Sequence, residues 1–208
     1  IDGSLTNVYR SKGGFFVSNR HKSFESEIPD KFENLIDKTI QGYFKSVRKF
    51  TENLGFSTDL VDNYTEQIQI KSEKGKQITE EQVKSIFDTL SDNVAKRVIP
   101  NIEQFSLIGE KAGDTFARLN SEFVSLVNGV ENLGASVAYA KQIVGSMSIE
   151  ARSAFVEQAG GIERINQLSA GFFDGFLTEQ EKLGVRTDQL SDSLSKLGLS
   201  TNLTKEQF

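Results

Sequence analysis

The sequence predicts an α+β fold that is mainly α-helical. A small antiparallel β-sheet, made of a hairpin and a third strand, is covered by long amphipathic helices and followed by a helical region. Three observations support this prediction: two β-prone runs flank a pair of glycines, a third run alternates apolar and polar residues, and one long stretch repeats apolar residues at intervals of three and four. We assign residues 1–134 to the mixed module and residues 135–208 to the helical region, which is truncated at its C-terminus.

The predicted hairpin comprises residues 5–10 and 15–20. Gly13 and Gly14 lie between these runs and supply the positive φ that a tight turn needs. Residues 67–72 alternate two isoleucines with polar neighbours, which is the period of a strand with one buried face. Because an isolated two-stranded hairpin is only marginally stable, we expect the three strands to share one sheet.

The long apolar repeat covers residues 105–134 and predicts a single helix of about eight turns that ends at Gly134. Its apolar face is either the inner face of a core helix or an assembly seam between copies of the chain. The heptad spacing is sustained, but the flanking positions lack the dense Glu/Lys pattern of a coiled coil, so both interpretations stay open. The candidate seam residues are Phe116, Leu119, Phe123, Leu126 and Val130.

Local signals delimit the helices that precede this repeat. Pro29 suits the first turn of a helix whose apolar face runs to Gly55. Thr79 and Gln82 form a capping box at the start of a second helix, which runs to Pro100. We expect the chain to kink there and to continue directly into the long helix.

Four helices are predicted after Gly134. They cover residues 135–144, a segment that begins near Ser148, residues 162–184, and a last segment that opens at Thr187 and ends at Gly198. Apolar residues at helical spacing form the face of each of the last two helices. These residues are Ile165, Leu168, Phe172, Phe176 and Leu183 in the third helix, and Leu190, Leu194 and Leu197 in the fourth.

Composition argues against several functional classes. The chain has no cysteine and one histidine, His21, and it lacks the glycine-rich nucleotide-binding motifs, so metal sites, thiol catalysis and phosphate cradles have no support. Residues 51–208 carry fifteen Lys/Arg against twenty-three Asp/Glu, which disfavours non-specific nucleic-acid binding. We therefore predict no catalytic residue, no metal and no cofactor. A catalytic pair of carboxylates, far apart in the sequence but close together in the folded chain, stays an open alternative.

Four basic residues lie on the two arms of the predicted hairpin, where they are expected to form one positive tip. Such a tip could contact DNA or an acidic protein surface. Alternatively, the charges blunt the edges of a small sheet. The four residues are Arg10, Lys12, Arg20 and Lys22.

Two further stretches resemble recurring blocks of phage tail tape measure proteins. The first is GEKAGDTFARL at residues 109–119, which continues through Phe123 to the Leu133-Gly134 pair. The second begins at Gly160-Gly161, passes through FFDGFLTEQE at 172–181 and ends with TKEQF at 204–208. The glycine-rich opening and the helix after Pro29 also follow the usual order of the family, so the resemblance covers nearly the whole chain. It implies an internal or C-terminal-side fragment of the siphophage or prophage type.

The resemblance implies a structural role and no enzymatic activity. Tape measure proteins set tail length, scaffold tube assembly and help to deliver DNA at infection. The implied partners are tail-tip or baseplate proteins, tail-tube proteins and a tail assembly chaperone, with a homo-oligomer as a further possibility. The implied locations are the lumen of the virion tail and, during assembly, the host cytoplasm. The family's long helical ruler and apolar membrane-active stretches are missing, which leaves open how much of the family's function this segment performs. No membrane contact and no specific nucleic acid are expected for it.

Anchoring to tail proteins is expected to use exposed surfaces. Besides the basic hairpin, the candidates are three phenylalanines that serve either as core or as interface. They are Phe172, Phe173 and Phe176. The alternative functions are a cell-wall-degrading domain of a tail protein and a helical adaptor unrelated to phage.

Overall fold

The computed structural model describes residues 3–12, 15–22, 30–72 and 79–196, and it describes side chains for residues 38–64 and 79–195. The chain divides into two compact units, Ile1–Arg118 and Leu119–Phe208. The domain boundary that we place after Gly134 stays a prediction. The helices are α1 (Asp30–Leu54), α2 (Asp59–Asp62), α3 (Glu80–Val98), α4 (Ala112–Asn132), α5 (Val137–Ser146), α6 (Ile149–Gln158), α7 (Ile162–Phe176) and α8 (Glu179–Lys196), with a 3-10 turn at Ile102–Phe105.

Three extended segments pair through their backbones. They are β1 (Gly3–Lys12), β2 (Phe15–Lys22) and β3 (Thr65–Ser72), and their antiparallel order is β2-β1-β3. In the register, Lys12 lies opposite Phe15 and Arg10 lies opposite Thr65. The turn between β1 and β2 falls outside the described residues.

The predicted fold class, in which helices cover a small sheet, is wrong. Residues 38–64 and 79–195, where side chains are described, are 81% helical and contain no strand. Their buried apolar side chains belong to helices and to the connections between helices. Apolar stripes of this length can cover one another, so helix-on-helix packing forms the described core without a sheet layer. The fold is therefore mostly helical.

The described core of the first unit is built by α1 and α3 with the first turns of α4. Its fully buried side chains include Phe44 and Val47 of α1 and Leu90 of α3. The ring of Phe50 lies 6.1 Å from that of Phe116, which joins α1 to the start of α4. This core rests on aromatic contacts between helices, whose geometry adds roughly 0.5–1.5 kcal/mol per pair beyond area burial.

The prediction that the chain runs helically from residue 105 to residue 134 is wrong at its start. A non-helical connection follows the 3-10 turn, and α4 begins only at Ala112. In that connection Gly109 has a φ of +86°. The carboxylate of Asp92 on α3 accepts a hydrogen bond from the Gly113 backbone N–H at 2.8 Å and so satisfies a free donor of the α4 N-terminus. Ile108, which the helical spacing placed on the apolar face, is fully exposed.

The remaining turns of α4 form the centre of the second unit. The Glu122 carboxylate accepts a hydrogen bond from Ser153 of α6 at 2.6 Å. Asn132 donates to the Ser169 hydroxyl of α7 at 3.3 Å. One turn of α4 also contacts α8 through Glu131. Helix α4 therefore contacts three other helices of this unit through side-chain hydrogen bonds.

The predicted boundary between the last two helices is also wrong. We expected one helix over residues 162–184 and another from Thr187, whereas α7 ends at Phe176 and α8 already begins at Glu179. Thr178 and Glu181 explain the shift. The Thr178 N–H donates to the Glu181 carboxylate at 2.8 Å, and the Glu181 N–H donates to the Thr178 hydroxyl at 3.3 Å. This reciprocal pair is a capping box, which begins α8 well before Gly184.

Candidate protein-binding surface

Exposed and half-buried apolar side chains run along α7. Leu168 is 54% exposed and Phe176 is 76% exposed, and Phe172 between them is half-buried. These residues recur every four positions and therefore lie along one side of the helix. Ile165 and Ser169, which face the interior, are buried. The cover over this helix therefore does not extend to Phe176 at its C-terminal end, where an apolar side chain is exposed to solvent.

Aromatic contacts hold this stripe in place. The rings of Phe172 and Phe176 stack with centroids 5.1 Å apart and planes 14° apart. Phe173 lies under the Arg186 guanidinium of α8, which is 5.5 Å from the ring centroid. A cation above an aromatic face is attracted by the ring quadrupole, so this contact ties α7 to α8. The exposed ring of Phe176 is held against the ring of Phe172 by their stacking contact.

The outer side of α8 carries exposed leucines. Leu183 is 65% exposed and Leu190 is 56% exposed, whereas Val185 on the opposite side of the helix is buried. Sequence periodicity took such leucines as the faces of their helices but gave no sign that they point outward. The polar residues Gln189 and Asp192 share the inner side with Val185, and the sequence pattern alone would have placed them in water.

The inner side of α8 is held by polar contacts. Gln189 donates to the Glu131 carboxylate of α4 at 3.0 Å. Lys141 of α5 forms an ion pair with Asp192 at 2.9 Å. Because both contacts involve long polar side chains at separate positions along α8, they define which side of the helix faces α4 and α5.

Four of the five predicted seam residues of α4 are buried in the single chain. Phe116, Leu119, Phe123 and Leu126 are each at most 5% exposed, and Val130 is half-buried. An assembly of several chains through the α4 seam would first have to expose these side chains. The assembly seam stays a prediction, but these residues already form a core in one chain.

The predicted basic residues lie on β1 and β2, where only the backbone is described. Arg10 and Lys12 lie near the turn, opposite Val17 and Phe15. Arg20 and Lys22 lie toward the other end of the ladder, where Lys22 is opposite Leu5. At about 3.4 Å per residue, Lys12 and Leu5 are roughly 24 Å apart along β1, so the register does not gather the four residues at one tip. Their role in binding stays a prediction.

A buried charged cluster joins α4 to α6. Glu122 is 5% exposed and Arg152 is 4% exposed, and the Arg152 guanidinium lies 5.3 Å from the Phe123 ring centroid. Burial lowers the pKa of Arg152, while the carboxylates of Glu122 and Glu150 act in the opposite direction. Because both groups are buried, removal of one of them alone would leave an uncompensated charge in the core.

Among the described residues, no group of three or more His, Cys, Asp or Glu side chains could hold a metal ion. Within the same part of the chain, no helix is long and apolar enough to cross a membrane. Comparisons with protein-family models, with curated proteins and with solved structures found no match.

Proposed function

We propose that this chain is a structural, non-catalytic piece of a phage tail tape measure protein, which docks to tail-tip or tail-tube proteins. The proposal rests on the resemblance of residues 109–134 and 160–181 to that family. In this role the chain helps to set tail length, to scaffold the tube and to deliver DNA at infection. It acts in the tail lumen after assembly in the host cytoplasm, where a tail assembly chaperone is a further partner.

The exposed stripe of α7 is the observation that carries the docking part of this proposal. An exposed phenylalanine loses its contact with water when a partner covers it, and burial of such a side chain contributes roughly 1.5–3 kcal/mol. Phe176 is already stacked on Phe172, so little side-chain freedom is lost on binding. Aromatic anchors of this kind commonly dominate the energy of protein interfaces.

The test measures binding of the purified chain to the tail-tip and tail-tube proteins encoded by the same phage genome. We expect at least one of them to bind, and Phe176→Glu to weaken that binding by about tenfold or more. Tyr139→Glu is the matched control, because Tyr139 is an aromatic residue of α5 that is 56% exposed. This control variant is expected to bind like the unmodified chain.

Two outcomes would overturn the proposal. If none of the tail proteins binds the unmodified chain, the structural role in the tail is rejected. If Phe176→Glu and Tyr139→Glu bind equally well, the α7 stripe is not the docking surface. Circular dichroism of both variants verifies that each keeps its helical content.

A further inference from the structure

The inner side of α8 is almost entirely polar. Four side chains share this side at helical spacing, and only one of them is apolar. They are Lys182, Val185, Gln189 and Asp192. The Lys182 side chain is only 15% exposed, and Gln189 and Asp192 are half-buried. Among the α8 side chains that the structure describes, Val185 is the only apolar one that is buried.

Helices α4 and α5 meet this side of α8 through polar and charged groups. Gln189 donates a hydrogen bond to the Glu131 carboxylate of α4 at 3.0 Å. Lys141 of α5 forms an ion pair with Asp192 at 2.9 Å, and these two side chains are 39% and 25% exposed. Water and salt therefore reach the ion pair, and dissolved ions weaken it by screening.

The second half of α4 is held in the opposite way. Four of its apolar side chains are each at most 5% exposed, namely Leu119, Phe123, Leu126 and Val127. Burial of apolar surface is the dominant favourable term in packing, whereas a partly exposed ion pair contributes little in water. Segments with few buried apolar contacts open at a lower free energy than the core does. We therefore expect α8 to open more easily than α4.

The start of α8 allows the helix to move as one piece. Only Leu177 and Thr178 separate α7 from α8. The capping box between Thr178 and Glu181 lies within the α8 segment, so it is kept when the helix moves. Leu177 is half-buried, and its Cδ2 lies 3.7 Å from the position that a Cβ on Gly134 would take. Leu177 is therefore the point about which α8 can turn.

We propose that α8 is a strap, which turns away from its neighbours about Leu177 while α4, α5, α6 and α7 stay folded. The ion pair between Lys141 and Asp192 is the part of its attachment that salt weakens. Opening also takes the Arg186 guanidinium away from the Phe173 ring, whose centroid is 5.5 Å from it in the closed state. The proposal does not depend on the function proposed above, because it rests only on the contacts of α8.

The first test uses cysteine as a probe of opening, because the chain has none of its own. A buried thiol reacts with a thiol reagent only when it becomes exposed. Val185→Cys reports on α8, and Val156→Cys on α6 is the matched control, since the two valines are 6% and 7% exposed. With each rate normalised to that of the unfolded variant, Val185→Cys is expected to react about 30-fold faster or more than Val156→Cys.

The second test asks whether the ion pair holds the strap. Raising the salt concentration from about 0.05 M to about 0.5 M is expected to speed the labelling of Val185→Cys about threefold. Adding Lys141→Gln to this variant is expected to speed labelling at low salt by about the same factor and to remove most of the salt effect. Lys84→Gln, which breaks an ion pair with Asp88 within α3, is the matched control and is expected to leave labelling unchanged.

The third test is hydrogen exchange of the unmodified chain, which does not depend on how the cysteine variants fold. Backbone amides of residues 179–195 are expected to exchange about tenfold faster or more than those of residues 119–132. Mass spectrometry of peptides from the two segments gives the comparison. This result would show that α8 opens while α4 stays folded.

Equal normalised labelling of Val185→Cys and Val156→Cys overturns the proposal, because α8 would then open only when the rest of its unit unfolds. Equally slow hydrogen exchange in α8 and α4 overturns it for the same reason. Fast labelling of Val185→Cys that changes neither with salt nor with Lys141→Gln rejects the ion pair as part of the attachment.

Discussion

The side-chain amide of Gln189 on α8 donates a hydrogen bond to the Glu131 carboxylate of α4, with 3.0 Å between Nε2 and Oε2. Glu131 is only 4% exposed, although it carries a carboxyl group. A buried carboxylate needs hydrogen-bond donors, and Gln189 supplies one from a different helix. This contact therefore helps to decide which side of α8 faces inward.

Replacing Gln189 with alanine tests this relationship. Because the variant removes a donor from a buried carboxylate, Gln189→Ala is expected to lower the free energy of unfolding by about 1–3 kcal/mol. The measurement is urea denaturation followed by circular dichroism. Asp188→Ala, at the exposed neighbouring position, is expected to change stability by less than about 0.5 kcal/mol. Equal effects in the two variants would contradict the role of the contact.

The Arg152 side chain is the subject of a second prediction. Arg152→Met keeps most of the side-chain volume but removes the positive charge near Glu122, so a loss of about 3–5 kcal/mol of stability is expected. Adding Glu122→Gln removes the uncompensated charge and is expected to restore part of that loss. A double-mutant cycle measured by chemical denaturation gives the coupling, which is expected to exceed about 1 kcal/mol. Strict additivity would show that the two side chains do not interact.

Glu110 provides a prediction about pH. Burial acts to raise the pKa of Glu110, but hydrogen bonds from Arg118, from the Leu107 backbone N–H and from Thr115 lower it, and the net shift is downward. The Arg118 Nε lies 2.9 Å from the Glu110 carboxylate, and the Glu110 side chain is 19% exposed. The folded state therefore binds a proton at this group less readily than the unfolded state does.

The sign of the pH effect follows from this shift. The stabilisation is complete above the usual glutamate pKa of about 4.3 and is lost as the pH falls through the lowered value in the folded state. Urea midpoints of the unmodified chain and of Glu110→Gln at about pH 6 and about pH 3 measure the effect, and the gap between the two proteins is expected to narrow at the lower pH. Glu103→Gln, at an exposed position, serves as the control. A gap that does not change with pH would refute this prediction.

Gly113 provides a prediction about packing. A Cβ at this position would lie 2.2 Å from the Ser91 hydroxyl oxygen and 2.8 Å from the Ser91 Cβ, so Gly113→Ala forces α3 and α4 apart. A loss of about 1–3 kcal/mol is expected. Gly184→Ala is the control, because it is helical and its added Cβ meets no atom within 4 Å, and it is expected to stabilise the chain by about 0.5–1 kcal/mol. Thermal unfolding of both variants gives the comparison, and stabilisation by Gly113→Ala would contradict the close approach.

Local chemistry was sufficient to predict several helix boundaries. The capping box of Thr79 and Gln82 is present with both of its hydrogen bonds. Gly55 follows α1 with a φ of +86°, and Ser148 accepts a hydrogen bond from the Ala151 N–H at the start of α6. Each of these signals acts within about four residues, so the sequence is enough to read them.

The predicted start of the long helix was wrong because contacts with residues outside the local repeat favour a different backbone conformation there. The spacing of Ile108 and Ala112 suits one helix, yet the connection before α4 is held by Glu110 and Arg118, which are eight residues apart. Asp92, from another helix, then binds the first turn of α4. The predicted sheet-plus-helices class failed for a related reason, since periodicity shows that a helix has an apolar face but not whether a sheet or another helix covers it.

The sequence by itself determined that this chain contains long amphipathic helices, where many of them begin or end, and that residues 116–126 include a strongly apolar face. Only the tertiary structure decided that Phe116 and Phe123 are covered while Phe176, Leu183 and Leu190 are not. The physical reason is that a side chain is buried only when a second surface covers it, and the pattern of one helix does not specify that second surface. Helical period can place a leucine on a face, but the contacts of Gln189 with α4 and of Asp192 with α5 turn that face of α8 toward water.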